Sequence, residues 1–88
     1  MNLNEKVQNG LRSYLRNLAK RRSNRIVTAD DAHTFLNGRG IRQNQSLVRL
    51  AYVNSTLRSP EFVTVGETAS SRPAARSRRI STWTMATV

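Results

Sequence analysis

Apolar residues in the first quarter of the chain recur at steps of three and four. This spacing predicts an amphipathic helix over residues 2–22. Asn2, followed three residues later by Glu5, resembles a capping pair. Gly10 lies inside the helix, where glycine costs roughly 1 kcal/mol relative to alanine. The predicted apolar side consists of Leu3, Val7, Leu11, Tyr14, Leu15 and Leu18.

A second helix is predicted over residues 29–38. It follows the sequence T-A-D-D, in which the hydroxyl of Thr28 can accept from the backbone N–H of Asp31, and the two aspartates place negative charge at the positive end of the helix. Gly38 or Gly40 is expected to supply the left-handed residue that ends it. The predicted buried residues of this helix are Ala29, Ala32, Phe35 and Leu36.

A third helix is predicted over residues 44–58, with Asn44 as its N-cap and Pro60 beyond its end. Its apolar residues fall along one line, which we assign to the core. The core line consists of Leu47, Leu50, Ala51, Asn54 and Leu57. The residues on the opposite side, and therefore in solvent, are Gln45, Ser46 and Arg49.

Two runs rich in β-branched and aromatic residues, EFVTVGE and RRISTWTM, predict a β-hairpin over residues 61–85. The polar and basic segment between them, together with the two arginines that open the second run, forms residues 68–79 and is called the basic loop below. Alternation places Val63 and Val65 on one face, but it separates the apolar residues of the second run. The hairpin therefore requires either a bulge or burial of both faces. A shorter β-branched stretch, RIVT, predicts an edge strand before the second helix.

The predicted elements follow the order helix, short strand, helix, helix, strand, loop, strand. This is the order of a winged helix-turn-helix, an α+β fold in which the hairpin forms the wing. A chain of 88 residues has room for one such domain, residues 1–88. The apolar fraction of 38 % is below the usual ~45–50 %, so we expect a thin core.

Charge and composition narrow the function classes. Fifteen Lys and Arg against five Asp and Glu give a formal charge of +10, which predicts a polyanionic partner. With no cysteine and one histidine, His33, the chain has neither a disulfide framework nor the residues of a zinc cluster. We expect no cofactor and no enzymatic activity. The N-terminus lacks a long apolar run, so we expect a cytoplasmic chain with neither a signal peptide nor a membrane span.

The start of the third helix is the strongest candidate for base contacts. In a helix-turn-helix this element enters the major groove, and the segment RGIRQNQSLVR, residues 39–49, carries amides, a hydroxyl and arginines but no acid. Gln45, Ser46 and Arg49 are our candidates for contacts to base edges. The hydroxyl of Tyr52 can bind a phosphate, although a partly buried aromatic that closes the hairpin is an equal alternative.

Flanking arginines are candidates for phosphate contacts, which position a protein on DNA without reading its sequence. Arg39 and Arg42 precede the third helix. The basic loop, held between two strands, delivers its arginines to a neighbouring phosphate or the minor groove. The complete set of candidate residues is Arg39, Arg42, Gln43, Asn44, Gln45, Ser46, Arg49, Tyr52, Arg72, Arg76, Arg78 and Arg79.

The stretch from Thr28 to Trp83 resembles small winged helix-turn-helix proteins of bacteriophages, prophages and mobile elements. The resemblance is carried by TADDAHTFL, the arginine-bearing third helix, VGETASSRP and RRISTWTM. It implies binding of double-stranded DNA in the bacterial cytoplasm or nucleoid, as a transcriptional regulator or as a packaging or replication accessory. Many relatives have acidic or proline-rich residues where the third helix here begins with Gln and Asn, so the preferred sequence stays open.

Two alternatives to DNA binding stay open. A protein-interaction module would use a compact basic patch against an acidic host or virion protein, whereas cations spread over several elements suit a long polyanion. An RNA-binding protein is less favoured because aromatic residues are few. A homodimer is possible, with helix 1 as its interface, because the apolar side of that helix is longer than a thin core requires.

Overall fold

A computed structural model describes residues 4–41, 46–70 and 78–86, with the side chain of Ser46 excepted. In these ranges the protein has an α+β fold of three helices and a three-stranded antiparallel sheet with strand order β1-β3-β2. The predicted fold class and element order are confirmed at this level. The elements are α1 Glu5–Arg21, β1 Val27–Thr28, α2 Ala29–Gly38, α3 Ser46–Leu57, β2 Phe62–Ala69 and β3 Arg79–Met85.

Helix α1 begins later than predicted because Asn4 is its N-cap. The side-chain Oδ1 of Asn4 accepts from the backbone N–H groups of Lys6 and Val7, at 2.9 and 3.3 Å. These are N–H groups that the first turn of a helix leaves without a partner. The predicted cap, Asn2, lies outside the described residues.

Helix α2 has the predicted bounds, and both of its ends are specified by the local sequence. At its start Thr28 and Asp31 form a capping box, in which Asp31 Oδ2 accepts from the backbone N–H of Thr28 at 2.9 Å. At its end Gly40 has φ +78°, a left-handed conformation that glycine adopts without steric cost. The N–H of Ile41 then donates to the carbonyl of Leu36 at 3.0 Å, which closes the turn.

The hairpin contains a β-bulge, which lies on its first strand and leaves the alternation of the second strand unchanged. Thr64 pairs with Trp83 and Gly66 pairs with Thr82, so Val65 is an extra residue on β2. The other edge strand, β1, pairs with β3 as predicted for RIVT. Phe62 is the buried residue of β2, and Val63 and Val65 on either side of Thr64 are both exposed.

The core lies between the helices and one face of the sheet. Its buried apolar residues are Leu11, Leu15, Ala19, Val27, Ala32, Leu36, Tyr52, Val53, Leu57 and Phe62. Val7, Tyr14 and Leu18 of α1 pack against this cluster. The described apolar residues of α1 therefore pack on their own chain, and a dimer through this helix stays a prediction. In the ranges described, no helix is long and apolar enough to cross a bilayer.

Gly10 provides a test of the packing between α1 and α2. A Cβ at this position would lie 2.9 Å from Cζ of Phe35, whose ring packs on Tyr14 at 5.2 Å between centroids. We expect Gly10→Ala to lower the free energy of unfolding by about 1 kcal/mol, because the displaced ring outweighs the gain in helix propensity.

The matched control is Gly38→Ala, in the last turn of α2. A Cβ there meets no atom within 4 Å, so only helix propensity changes, and stability should be unchanged or higher. Urea denaturation of both variants measures the difference. A Gly10→Ala protein that gains as much stability as Gly38→Ala would contradict the packing argument.

Candidate nucleic-acid interface

The side of α3 that faces the core is not the predicted side. Leu47 and Leu50, assigned to the core, are 74 % and 48 % exposed, whereas Arg49 is 3 % exposed and Tyr52 is 4 % exposed. The buried residues of this helix are Arg49, Tyr52, Val53, Thr56 and Leu57. The predicted face was wrong because hydropathy alone placed the leucines inside, while the buried arginine has polar partners on α2.

Arg49 joins α3 to α2 through a network of hydrogen bonds. Its Nε donates to Nδ1 of His33 at 3.0 Å, and its Nη1 donates to Oδ1 of Asn37 at 2.7 Å. Further bonds reach the carbonyls of Ile41, at 3.2 Å, and His33, at 3.4 Å. The prediction that Arg49 contacts base edges is therefore wrong, because its guanidinium is buried and its donors are used inside the protein.

His33 and Asn37 are residues whose importance the sequence analysis did not recognise. They lie four residues apart and therefore on the same face of α2. Because Nδ1 of His33 accepts the bond from Arg49, the imidazole carries its hydrogen on Nε2. Two polar residues at this spacing in one helix, and an arginine among the apolar residues of the next helix, are the pattern from which a hydrogen-bond network between α2 and α3 could have been predicted.

Tyr52 connects α3 to the start of α1. Its hydroxyl accepts from the backbone N–H of Asn4 at 3.0 Å. A second contact between the same helices joins Nε2 of Gln8 to Oγ of Ser55, at 3.1 Å. The hydroxyl oxygen accepts this bond and the residue is 4 % exposed, which disfavours the predicted phosphate contact of Tyr52. The burial expected in the alternative is confirmed, but the hydroxyl contacts the residue before α1, and the closing of the hairpin stays a prediction.

The basic loop is fastened where it leaves the hairpin. The backbone N–H of Ser70 donates to the carbonyl of Arg78 at 2.7 Å, which brings the two ends of the loop together. The hydroxyl of Ser70 donates to the carboxylate of Asp30, at 2.8 and 3.0 Å to its two oxygens. Strand pairing extends to Ala69 and Arg79, so the unpaired part is shorter than the predicted 68–79. The loop therefore begins and ends beside the start of α2.

The predicted site residues divide into three groups. Arg39, Arg78 and Arg79 are exposed, and Arg39 lies over the ring of Phe35 at 5.1 Å. Arg49 and Tyr52 are buried. For Ser46 only the backbone is described. The remaining candidates lie outside the described residues: Arg42, Gln43, Asn44, Gln45, Arg72 and Arg76.

The spacing of four residues between Arg12, Arg16 and Lys20 predicts a basic ridge on α1, and one glutamate binds two of these three side chains. Nε of Arg16 donates to Oε1 of Glu61 at 2.6 Å, and Nε of Arg12 lies 3.3 Å from Oε2 of the same carboxylate. These bonds hold α1 against the residue that precedes β2. Of the three residues predicted to form the ridge, only Lys20 is left exposed and without a carboxylate partner in the described ranges.

Most acidic side chains contact partners within the protein. Arg22 donates to both oxygens of Asp31 at 2.8 Å, and these hydrogen bonds raise the pKa of the Arg22 guanidinium above its usual value. Asp30 accepts from Ser70, and Glu61 binds Arg12 and Arg16. Glu67 lies 3.7 Å from Arg79 at the exposed hairpin surface, and Glu5 is in the first turn of α1.

Exposed cations, by contrast, are distributed over several elements. In the part of the chain that the structure describes, they form no ion pair. These cations are Lys6, Lys20, Arg21, Arg25, Arg39, Arg58 and Arg78. Three of the five carboxylates bind partners within the protein, whereas these cations are exposed to solvent. The excess positive charge therefore lies on the surface.

Comparisons with known proteins give no match at the level of family, sequence or structure. No family model matches this chain, and neither a curated protein nor a solved structure does so. The function is therefore inferred from the geometry and charge of the chain itself.

Proposed function

We propose that this protein is a winged helix-turn-helix module that binds double-stranded DNA, mainly through the phosphate backbone. The observation that carries the proposal is the separation of charge. Asp30, Asp31 and Glu61 are bound to partners inside the protein, while the unpaired cations are exposed on α1, just after the ends of α1, α2 and α3, and at the base of the basic loop. A surface of one sign that spans several elements suits a long polyanion.

The arrangement of the elements supports the finer fold assignment. Helices α2 and α3 follow each other closely and are locked together by Arg49. A hairpin follows α3, and the short strand β1 completes the sheet at the edge opposite β2. In a winged helix-turn-helix this order places the second helix of the pair in the major groove and the hairpin loop beside it.

The described part of the outward side of α3 offers few groups that can read bases. Its described residues include Leu47, Leu50 and Asn54, of which only Asn54 has an amide that can bond an adenine edge. Leucine side chains offer no hydrogen bond to a base. Sequence discrimination from this part of the helix is therefore small, which suits a phage or mobile-element packaging or replication accessory better than a regulator of one operator.

The basic loop supplies the second contact surface. Ser70 closes its base and fastens it to Asp30 on α2. Because the ends of the loop are held in place, less conformational entropy is lost when its arginines contact phosphate than in a free tail. Arg78, at the base of the loop, and Arg39, at the end of α2, are exposed and are assigned to phosphate contacts.

The proposal is tested by titrating the protein against two unrelated duplexes at several salt concentrations. If about six cations contact phosphates, log K should fall with log salt at a slope of roughly −5. The two duplexes should bind with affinities within about threefold of each other, because phosphate contacts carry no sequence information. Fluorescence anisotropy of labelled duplexes gives both quantities. An affinity that does not depend on salt would contradict the proposal.

A protein-interaction module is the second candidate, and the exposed leucines of α3 favour it. Leu47 and Leu50 lie three residues apart on the same side of the helix and are exposed, and the exposed Arg58 follows the end of α3. Apolar side chains beside cations are typical of surfaces that bind an acidic protein segment. Failure to bind either duplex at low salt would exclude the DNA proposal and favour this candidate.

A further inference from the structure

A pocket lies at the end of the sheet that is remote from the basic loop. Its volume is about 360 Å³, which is in the range of small-ligand sites. The pocket forms where the end of α1 meets the end of β3, and Met85 is separated from Arg79 at the base of the loop by about 20 Å of strand. The residues that line it are Ala19, Lys20, Arg25, Thr84, Met85 and Ala86.

The backbone of Arg25 has a conformation unusual for an arginine. Its φ is +59°, and it is the one non-glycine residue with positive φ in the described ranges. The hydroxyl of Thr84 donates to the carbonyl of Arg25 at 2.8 Å, and Oδ1 of Asn24 accepts from the next N–H, that of Ile26, at 3.1 Å. These bonds hold Arg25 at the rim of the pocket in a conformation that favours glycine.

The lining combines two cations with an apolar floor. Lys20 and Arg25 are exposed at the rim, and Ala19, Met85 and Ala86 supply apolar surface. No acidic side chain is among the described residues that line the pocket. Two cations favour a dianion over a single carboxylate, and the apolar floor favours an anion that is attached to a carbon skeleton.

We propose that this pocket binds a phosphate monoester. The phosphate lies between Lys20 and Arg25, and the ester group, such as a sugar, packs on Met85 and Ala86. A free nucleotide and the 5′-phosphorylated end of a DNA strand share this chemistry. The site excludes Arg39, Arg78 and the basic loop, which are assigned to phosphate contacts with duplex DNA, although Lys20 and Arg25 also belong to the exposed cations on which the proposed function rests.

Binding can be followed on the methyl group of Met85. The chain contains two methionines, so ¹³C-methyl labelling gives a simple spectrum, in which Met85→Leu assigns the signal. Thymidine 5′-monophosphate should shift this signal in a saturable way, whereas thymidine, which lacks the phosphate, should not. Equal shifts with the two compounds, or no shift with the nucleotide, would overturn the proposal.

Variants that remove the same charge distinguish specific binding of the nucleotide in this pocket from its general attraction to a basic protein. Lys20→Ala should weaken nucleotide binding at least tenfold. Lys6→Ala removes the same charge from the first turn of α1 and should change the affinity less than twofold. Equal losses in the two variants would show that the nucleotide responds to net charge alone, which would overturn the site.

Arg25→Gly gives a second, independent readout. Glycine adopts the positive φ without strain, so Tm should rise by about 4 °C, while nucleotide affinity should fall at least tenfold. A variant that is more stable and binds equally well would assign Arg25 to the turn alone and would contradict the site.

The source of the phosphate is decided by comparing a single-stranded oligonucleotide with and without a 5′-phosphate. Stronger binding of the phosphorylated strand, lost in Lys20→Ala, assigns the pocket to DNA ends. If only the mononucleotide shifts Met85, the ligand is a free nucleotide. Either result supports the phosphate site, and neither depends on whether the duplex titration succeeds.

Discussion

Arg49→Ala is expected to lower the free energy of unfolding by about 3 kcal/mol, because it leaves its polar partners, among them the buried His33, without this donor. Nδ1 of His33 and Oδ1 of Asn37 both accept from this guanidinium, and the side chain is almost fully buried. The loss includes a cavity between α2 and α3. Urea denaturation followed by the fluorescence of Trp83 measures the effect.

Arg58→Ala is the matched control for this experiment. Arg58 follows the last residue of α3 and is exposed. Its replacement by alanine removes the same charge, and it should change the free energy of unfolding by less than about 0.5 kcal/mol. Arg49→Lys should recover only part of the stability, because a single ammonium cannot reproduce the fork of the guanidinium. A loss below 1 kcal/mol in Arg49→Ala would contradict the network as described.

The same variant separates two roles for Arg49 in DNA binding. A residue that reads bases would, when removed, weaken one preferred sequence more than others. Because Arg49 is buried, we expect the folded fraction of Arg49→Ala to lose affinity equally for unrelated duplexes, through the altered packing of α3 on α2. A selective loss for one duplex would contradict this expectation.

Replacing Arg72, Arg76 and Arg78 of the basic loop with glutamine is expected to have the largest effect on DNA binding. If each contacts one phosphate, the slope of log K against log salt should become less negative by about 3, since each contact contributes about 0.9. The affinity at low salt should fall roughly a hundredfold. The free energy of unfolding should be nearly unchanged, because the contacts that hold the ends of the loop do not use the replaced side chains. Ser70 donates to the backbone carbonyl of Arg78 and to the carboxylate of Asp30.

A charge-matched triple variant is the control for the loop. The control replaces three exposed cations on α1 and at the end of α3, namely Lys6, Arg21 and Arg58. None of them belongs to the basic loop or to the residues that line the proposed phosphate pocket. Their replacement by glutamine removes the same net charge. It should weaken binding by less than tenfold through long-range attraction alone. If the two triple variants lose equal affinity, the loop has no special role and net charge explains the binding.

The local sequence was sufficient for the elements whose ends are specified by neighbouring residues. T-A-D-D predicted the start of α2, and the capping box of Thr28 and Asp31 is observed there. Gly40, one of two predicted candidates, has the left-handed conformation that ends the helix. The hairpin was predicted from its β-branched runs. These features depend on bonds within a few residues, so the sequence contains the information they need.

The orientation of α3 could not be predicted in this way. Leu47, Leu50 and Arg49 could each be buried or exposed. Hydropathy favoured buried leucines and an exposed arginine, and the structure shows the reverse. The burial of Arg49 depends on acceptors that α2 places opposite it, and a sequence pattern within α3 carries no record of them. The same limit applies to the ridge on α1, because its partner Glu61 lies 45 residues further along the chain.

By itself, the sequence determined the order and type of the elements, the caps of α2 and the excess of positive charge. Only the tertiary structure decided which charges are available to a partner. It paired Asp31 with Arg22, turned Arg49 inward and fastened Ser70 to Asp30. The physical reason is that hydrogen bonds along the chain specify local structure, whereas the burial of a charge depends on partners from distant segments that remove the cost of desolvation.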